Sequence, residues 1–157
     1  MQQTGETYIK FALMEYTTKQ YAAELDKRLK DFQDAKAVFD CVAETHRSQI
    51  NRIFIKGQGA ERKLGKYSPA YAKLKKKKGR EASFVNFNFT GMLESDFATS
   101  LKKRGQTYVS GVKNAFNAKK VDWLADRYGE QAFDLSKDER KDFVDCVRAV
   151  FLKIMRG

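Results

Sequence analysis

The sequence predicts an α+β domain with a long N-terminal helix or helix pair, a small antiparallel β-sheet with a hairpin, flanking C-terminal helices and a long basic loop. Three observations predict it. Apolar residues between Tyr21 and Ile53 recur at intervals of three and four, one stripe of a helix. "KRGQ" separates two short runs that can share a face, a hairpin signal with Gly105 at the turn. Ser136 followed by Glu139 is a capping box, and it opens a second helical stripe that runs to the C-terminus. At 157 residues, with 42% apolar and 32% charged side chains, the chain suits one domain with a core of its own.

In chain order, residues 1–17 form an N-terminal arm, 18–56 a helical arm, 57–80 a basic loop and 81–157 the α+β core. Thr17 or Thr18 caps the helical arm, whose stripe is Tyr21, Leu25, Leu29, Phe32, Phe39, Ala43, His46, Ile50 and Ile53. Lys36 falls where the stripe expects an apolar residue and Asp34 can cap a second helix, so one helix and two both fit. Unbroken, it would be about 58 Å long, longer than such a domain is wide. Gly57 and Gly59 stop it, and Gly65, Pro69 and Gly79 punctuate the basic segment, with Tyr67 and Tyr71 as aromatic anchors.

"SFVNFNFTG" alternates imperfectly and reads as a strand; "SDFATSLKKRGQTYVSGVK" reads as two strands, with Phe97 and Leu101 facing Tyr108 and Val112. A short helix over 118–128 ends at Gly129, and a strand or turn follows at 132–135. The last helix carries Phe143, Val147, Val150, Phe151 and Ile154 on one face. Phe133, Leu135, Phe143 and Val147 are the predicted core, with Trp123 and Phe97 across from them.

No apolar run reaches the roughly 18 residues of a membrane span, and "MQQTGETYIK" lacks the features of a signal peptide. A cytoplasm-like compartment is expected, with Cys41 and Cys146 buried and reduced. The net charge of +11 favours acidic partners.

Catalytic chemistry is not legible. His46 lies on the apolar stripe, where a packed side chain is the simpler reading, and five helical positions put Cys41 about 140° away around the axis. The carboxylates of "SKDERKD" suit a helix first turn. "GQGAERKLG" follows a helix and lacks the Gly-Lys-Ser/Thr ending of a phosphate loop. No cofactor or metal site is read. The one charged feature that stands out is the run Lys63, Lys66, Lys73, Lys75, Lys76, Lys77, Lys78 and Arg80, which can meet DNA phosphates or an acidic protein surface, with Tyr67 and Tyr71 available for stacking.

"GKYSPAYAKLKKKKGR", "VNFNFTGMLESDF" and "WLADRYGEQAFDLSKDER", in that order, resemble bacteriophage virion morphogenesis proteins of the tail-completion, neck and minor-tail group. The matching positions are Tyr67, Ser68, Tyr71, Lys75 and Gly79; then Phe89, Thr90, Gly91 and Met92; then Tyr128, Gly129, Phe133, Leu135, Ser136 and Glu139. The likeness runs from about Ile53 to the C-terminus. Tyr128 stands where the family has Phe, and Ala132 where it commonly has Arg. The resemblance implies a virion structural protein, assembled in the host cytoplasm, not an enzyme, forming a homo-oligomeric ring at the head-to-tail junction or tail end. Its partners would be copies of itself and neighbouring connector and tail proteins, with no membrane. The basic loop and N-terminal arm would then become ordered only in the assembly. The alternative is a small DNA-binding or packaging accessory protein that uses the lysine loop on genomic DNA.

Overall fold

In the computed structural model, residues 17–105 and 107–156 are described; the predicted N-terminal arm, apart from Thr17, lies outside them. The order is α1 (Thr18–Asp34), α2 (Lys36–Ile50) running into a π-helical turn (Asn51–Ile55), α3 (Pro69–Lys77), α4 (Met92–Ala98), β1 (Lys102–Arg104), β2 (Thr107–Val109), α5 (Ala115–Tyr128), a 3-10 turn (Glu130–Phe133) and α6 (Lys137–Arg156). The α+β prediction is met by a mostly helical chain carrying one two-stranded antiparallel sheet.

Thr17 caps α1 in a capping box with Gln20. The helical arm is a pair. Ala35 alone, extended at φ −63° and ψ 123°, ends α1 and begins α2, with no side-chain cap on the second helix. Both helices then pack on α6. Phe32 meets Phe151 edge-on at 5.4 Å, and the Arg28 guanidinium donates to the Met155 carbonyl. The π-helical turn places Arg52, Ile53 and Phe54 in succession in the interior. It stops at Gly57, whose φ is +63° and where a methyl would run into the Phe84 ring and the Val85 carbonyl.

The basic segment is not a free loop. Gln58 bridges to Lys63, Leu64 is buried, Ser68 caps α3 with Pro69 in its first turn, and Lys75 is completely enclosed. The expectation that 57–80 waits for a partner before it orders is therefore corrected.

The predicted strand "SFVNFNFTG" is irregular. Val85 N–H reaches the Gly65 carbonyl, but Asn88 N–H turns back onto the Asn86 side chain, with Phe87 between them at φ +52°. This asparagine turn interrupts any ladder, and the apolar residues are buried as loop anchors instead. The stretch read as two long strands after Gly91 begins as α4, because Leu93 and Phe97, both buried, are a helical i, i+4 pair. Only Lys102–Arg104 and Thr107–Val109 pair, in the register Lys103 opposite Tyr108.

The short helix starts at Ala115, three residues before the prediction, because Asn114 accepts from the Phe116 and Asn117 amides. The predicted strand or turn at 132–135 is a turn that begins earlier, the 3-10 turn Glu130–Phe133, with no strand after it. The Ser136 and Glu139 capping box forms as expected: Glu139 N–H donates to Ser136 Oγ at 3.2 Å, and Ser136 N–H to Glu139 Oε2 at 2.8 Å.

The core is Ile53, Phe54, Leu93, Phe97 and Leu124, continued by Leu64, Val85 and Ala132. Phe133 joins the two, stacking on Phe87 at 5.4 Å. Phe97 keeps its predicted core place. Leu135, Phe143 and Val147 are only half-buried, and Trp123 is 58% exposed, so those predicted core positions are corrected. Cys41 and Cys146 are also corrected: α2 and α6 bring their Cα atoms to 5.9 Å and the two sulfurs form a disulfide. No helix among the described residues is long and apolar enough to cross a membrane.

Candidate functional site

Of the eight cations in the predicted binding run, seven are solvent-exposed: Lys63, Lys66, Lys73, Lys76, Lys77, Lys78 and Arg80. The last turn of α3 holds Lys76 and Lys77, with Lys78 as its C-cap, where cations complement the helix dipole. Lys75 leaves the set. It has no exposed surface; its ammonium donates to Asn86 Oδ1 at 2.9 Å and to the Tyr67 hydroxyl at 3.1 Å, and lies 4.3 Å from the Tyr67 ring centroid. Tyr67 in turn donates to Asn86 Oδ1 and accepts the Asn86 amide, both at 3.1 Å. This Lys75, Tyr67 and Asn86 knot fastens α3 to the irregular 84–90 stretch, so Lys75 is a structural residue and not a phosphate contact.

Burial holds the Lys75 ammonium below its ordinary pKa of 10.5, with Glu81 offsetting it and Arg80 adding to it. Burial likewise pushes the Tyr67 phenol above 10.0, against the Asn86 amide. The unfolded chain thus holds the lysine proton more tightly than the folded one, and this cost is relieved as pH climbs towards about 10. Tyr67 acts in the opposite sense once pH passes about 10, when the unfolded phenol ionises first. Lys75→Gln is expected to lose about 1.5–3 kcal/mol of stability and to flatten the rise below pH 10, read from urea unfolding across that range. Lys77→Gln, on the exposed face, should change stability by less than about 0.5 kcal/mol.

A second basic feature lies on α5. Phe116, Lys120, Trp123 and Arg127 follow one another at intervals of four, three and four, one face of the helix. Lys120 Nζ sits 4.3 Å from the Phe116 centroid, and the Arg127 guanidinium 5.6 Å from that of Trp123. Phe116 and Trp123 are 63% and 58% exposed. The adjacent face of α5, carrying Asn117, Val121, Leu124 and Tyr128, is the one turned to the core. Across from the Trp123 stripe, Tyr67, Tyr71 and Phe89 form a ring-lined wall, with Tyr67 to Tyr71 at 5.0 Å and Tyr71 to Phe89 at 5.8 Å. Between wall and stripe is a cleft of about 490 Å³ whose charged lining groups, among the described residues, are Lys120 and Arg127.

The sequence reading missed this cleft. Its signal was the aromatic and cation alternation at helical spacing in "AFNAKKVDWLADRY", which the assignment of Trp123 to the core obscured.

His46 is packed, as expected: its Nε2–H donates to the Phe97 carbonyl at 3.1 Å, and the imidazole lies 4.9 Å from the Phe97 ring. Nδ1 is buried without a partner among the described residues, and Cys41 is committed to its disulfide, so the two make no nucleophile and base pair. Among the described residues no three His, Cys, Asp or Glu side chains gather as a metal site would need. Comparison with protein-family models, with curated protein sequences and with solved structures finds no match to this chain.

Proposed function

We propose that this protein is a structural subunit of a tailed-bacteriophage virion, of the tail-completion, neck or terminator type, assembling as a homo-oligomeric ring at the head-to-tail junction or tail end. The observation that carries the assembly is α1. It is an amphipathic helix of 17 residues with no buried residue, and Tyr21 and Leu29 on its stripe are 58% and 44% exposed. A helix with this pattern normally covers its apolar face, and a second copy is the simplest cover. The hairpin adds two outer strand edges unpaired among the described residues, to which a neighbour can add a strand. The folded basic segment lends no support, since it orders within the chain.

The virion assignment is motivated by the motif order. Positions that carry the resemblance pack on one another or on a shared neighbour: Tyr67 with Lys75, Tyr71 with Phe89, and Tyr128 and Phe133 both on Phe87, which lies within the second matching stretch. They read as the signature of a scaffold, which suits a structural subunit. Native mass spectrometry over a concentration series tests the assembly. Closed oligomers are expected, and Leu29→Glu should shift them to monomer; a chain that stays monomeric throughout would remove the ring. Peptide mass spectrometry of purified particles tests the virion location.

The seven exposed cations favour a second reading, a polyanion-binding accessory protein. Replacing Lys76, Lys77 and Lys78 by Gln together should lower the slope of log affinity against log salt for duplex DNA by about 2–3. An unchanged slope would show that these lysines face something else.

A further inference from the structure

We propose that the cleft between α5 and the 67–91 segment binds single-stranded nucleic acid, with bases against Trp123 and Tyr71 and phosphates on Lys120 and Arg127. The inference does not rest on ring assembly, and either can fail alone.

Four features of the cleft point to this ligand. Its walls are rings: Tyr67, Tyr71 and Phe89 on one side and Trp123 on the other, which offer flat π-faces on which any base can stack. Among the described residues its charge is of one sign. Lys120 and Arg127 line it, while Asp122 and Asp126 of the same helix are not among its lining residues. Arg127 is already held beside the Trp123 ring of the cleft, and Lys120 is held on Phe116 one turn before it, so a stacked base and its phosphate would meet two positioned cations rather than two free side chains. The volume of about 490 Å³ suits one or two nucleotides, and not the length of an amphipathic helix.

An extended acidic peptide fits less well. It could pair its carboxylates with Lys120 and Arg127, but it has no flat face to lay on Trp123 and on the Tyr67, Tyr71 and Phe89 rings opposite. A duplex keeps its bases stacked on one another and cannot offer their faces. The exposed lysines of α3 would hold a duplex without entering the cleft. Stacking and charge therefore separate into two places on this chain: the cleft reads exposed bases, and the α3 lysines add a general attraction to the backbone.

The chain contains a single tryptophan, so its fluorescence reports on the cleft directly. The full-length protein is titrated at low salt with a short oligothymidylate, with the duplex of the same length and with a polyglutamate peptide. The oligothymidylate is expected to quench Trp123 saturably, and the duplex and peptide to bind without comparable quenching. By anisotropy of labelled oligothymidylate, Trp123→Ala and Tyr71→Ala should each weaken binding about tenfold. Both side chains are exposed, and an unchanged melting temperature in each variant will show that the fold is retained. Replacing Lys76, Lys77 and Lys78 by Gln should weaken all polyanions alike and leave the quenching at saturation intact. Binding of oligothymidylate without quenching would overturn the proposal. Quenching by polyglutamate alone would overturn it in favour of an acidic protein partner. A concentration-dependent dimer abolished by Trp123→Ala would overturn it in favour of a second copy.

Discussion

Glu139→Ala is expected to destabilise the protein by about 3–5 kcal/mol, a fall of roughly 10 °C in melting temperature. The reason is that Glu139 holds two structures at once. One oxygen pairs with Arg52 Nε at 2.9 Å, with the side chains 5% and 10% exposed, and the other accepts the Ser136 amide that starts α6. Arg52 also donates from Nη1 to the Gln58 carbonyl and from Nη2 to the Asp134 carbonyl. Four segments, the π-helical turn, the loop after it, the link between the 3-10 turn and α6, and α6 itself, are thus pinned on one guanidinium. Removing the carboxylate leaves a buried cation without its counter-charge and a helix start without its acceptor. Arg52→Ala should cost a similar amount by exposing the same imbalance from the other side. The double replacement Arg52→Met with Glu139→Leu should cost less than the sum of the two single losses, because it leaves no unpaired charge. Urea unfolding of the three variants checks this. A single-variant loss below about 1 kcal/mol would mean that water screens the pair.

How much of this was legible in the sequence follows from what each signal depends on. Periodicity and caps are local, so the helical arm, the Gly57 stop, the Gly129 end and the Ser136 start could be read from neighbouring residues, while the choice between one helix and two stayed open. The break at Ala35 left only a weak trace, Lys36 out of stripe, because no side chain caps α2. The α4 helix is only seven residues long, too short for its Leu93 and Phe97 pair to compete with a strand-like context. The apolar content of 84–89 was read correctly as wanting a core, but its backbone is set by the Asn86 turn and by Gly57 making room, neither of which is a pattern.

The two most consequential misreadings concern single side chains. Lys75 sits in a lysine run, and nothing in a run says which member is taken inside. That was decided by Tyr67 and Asn86, eight and eleven residues away. Trp123 was placed in the core on hydrophobicity alone. On α5 the core takes the Val121, Leu124 and Tyr128 stripe, and Trp123 falls on the next face round, beside Lys120 and Arg127. Residue type thus misled where helical phase would have decided. For the cysteines, the expectation of free thiols rested on an assumed compartment, whereas pairing depends on the distance between two helices that only the fold brings together.

That pairing gives the other large expected effect. Reducing the Cys41–Cys146 disulfide, or replacing both cysteines by serine, is expected to cost about 2–5 kcal/mol. The bond closes 105 residues of chain, so its loss frees much of the unfolded ensemble. The native state loses a tie as well. The bond joins α2 to α6, and α1 packs on both, so its loss falls on the helical layer from which assembly is proposed to start. Cys41 is 3% exposed, but Cys146 lies on an open part of α6, which gives a reductant a route to the sulfurs. Alkylation of the denatured protein without reductant should find no free thiol, and the urea midpoint should fall on adding dithiothreitol. Two alkylated cysteines per chain, or a midpoint indifferent to reductant, would show that α2 and α6 hold together on their packed faces and on the nearby Arg52–Glu139 pair alone.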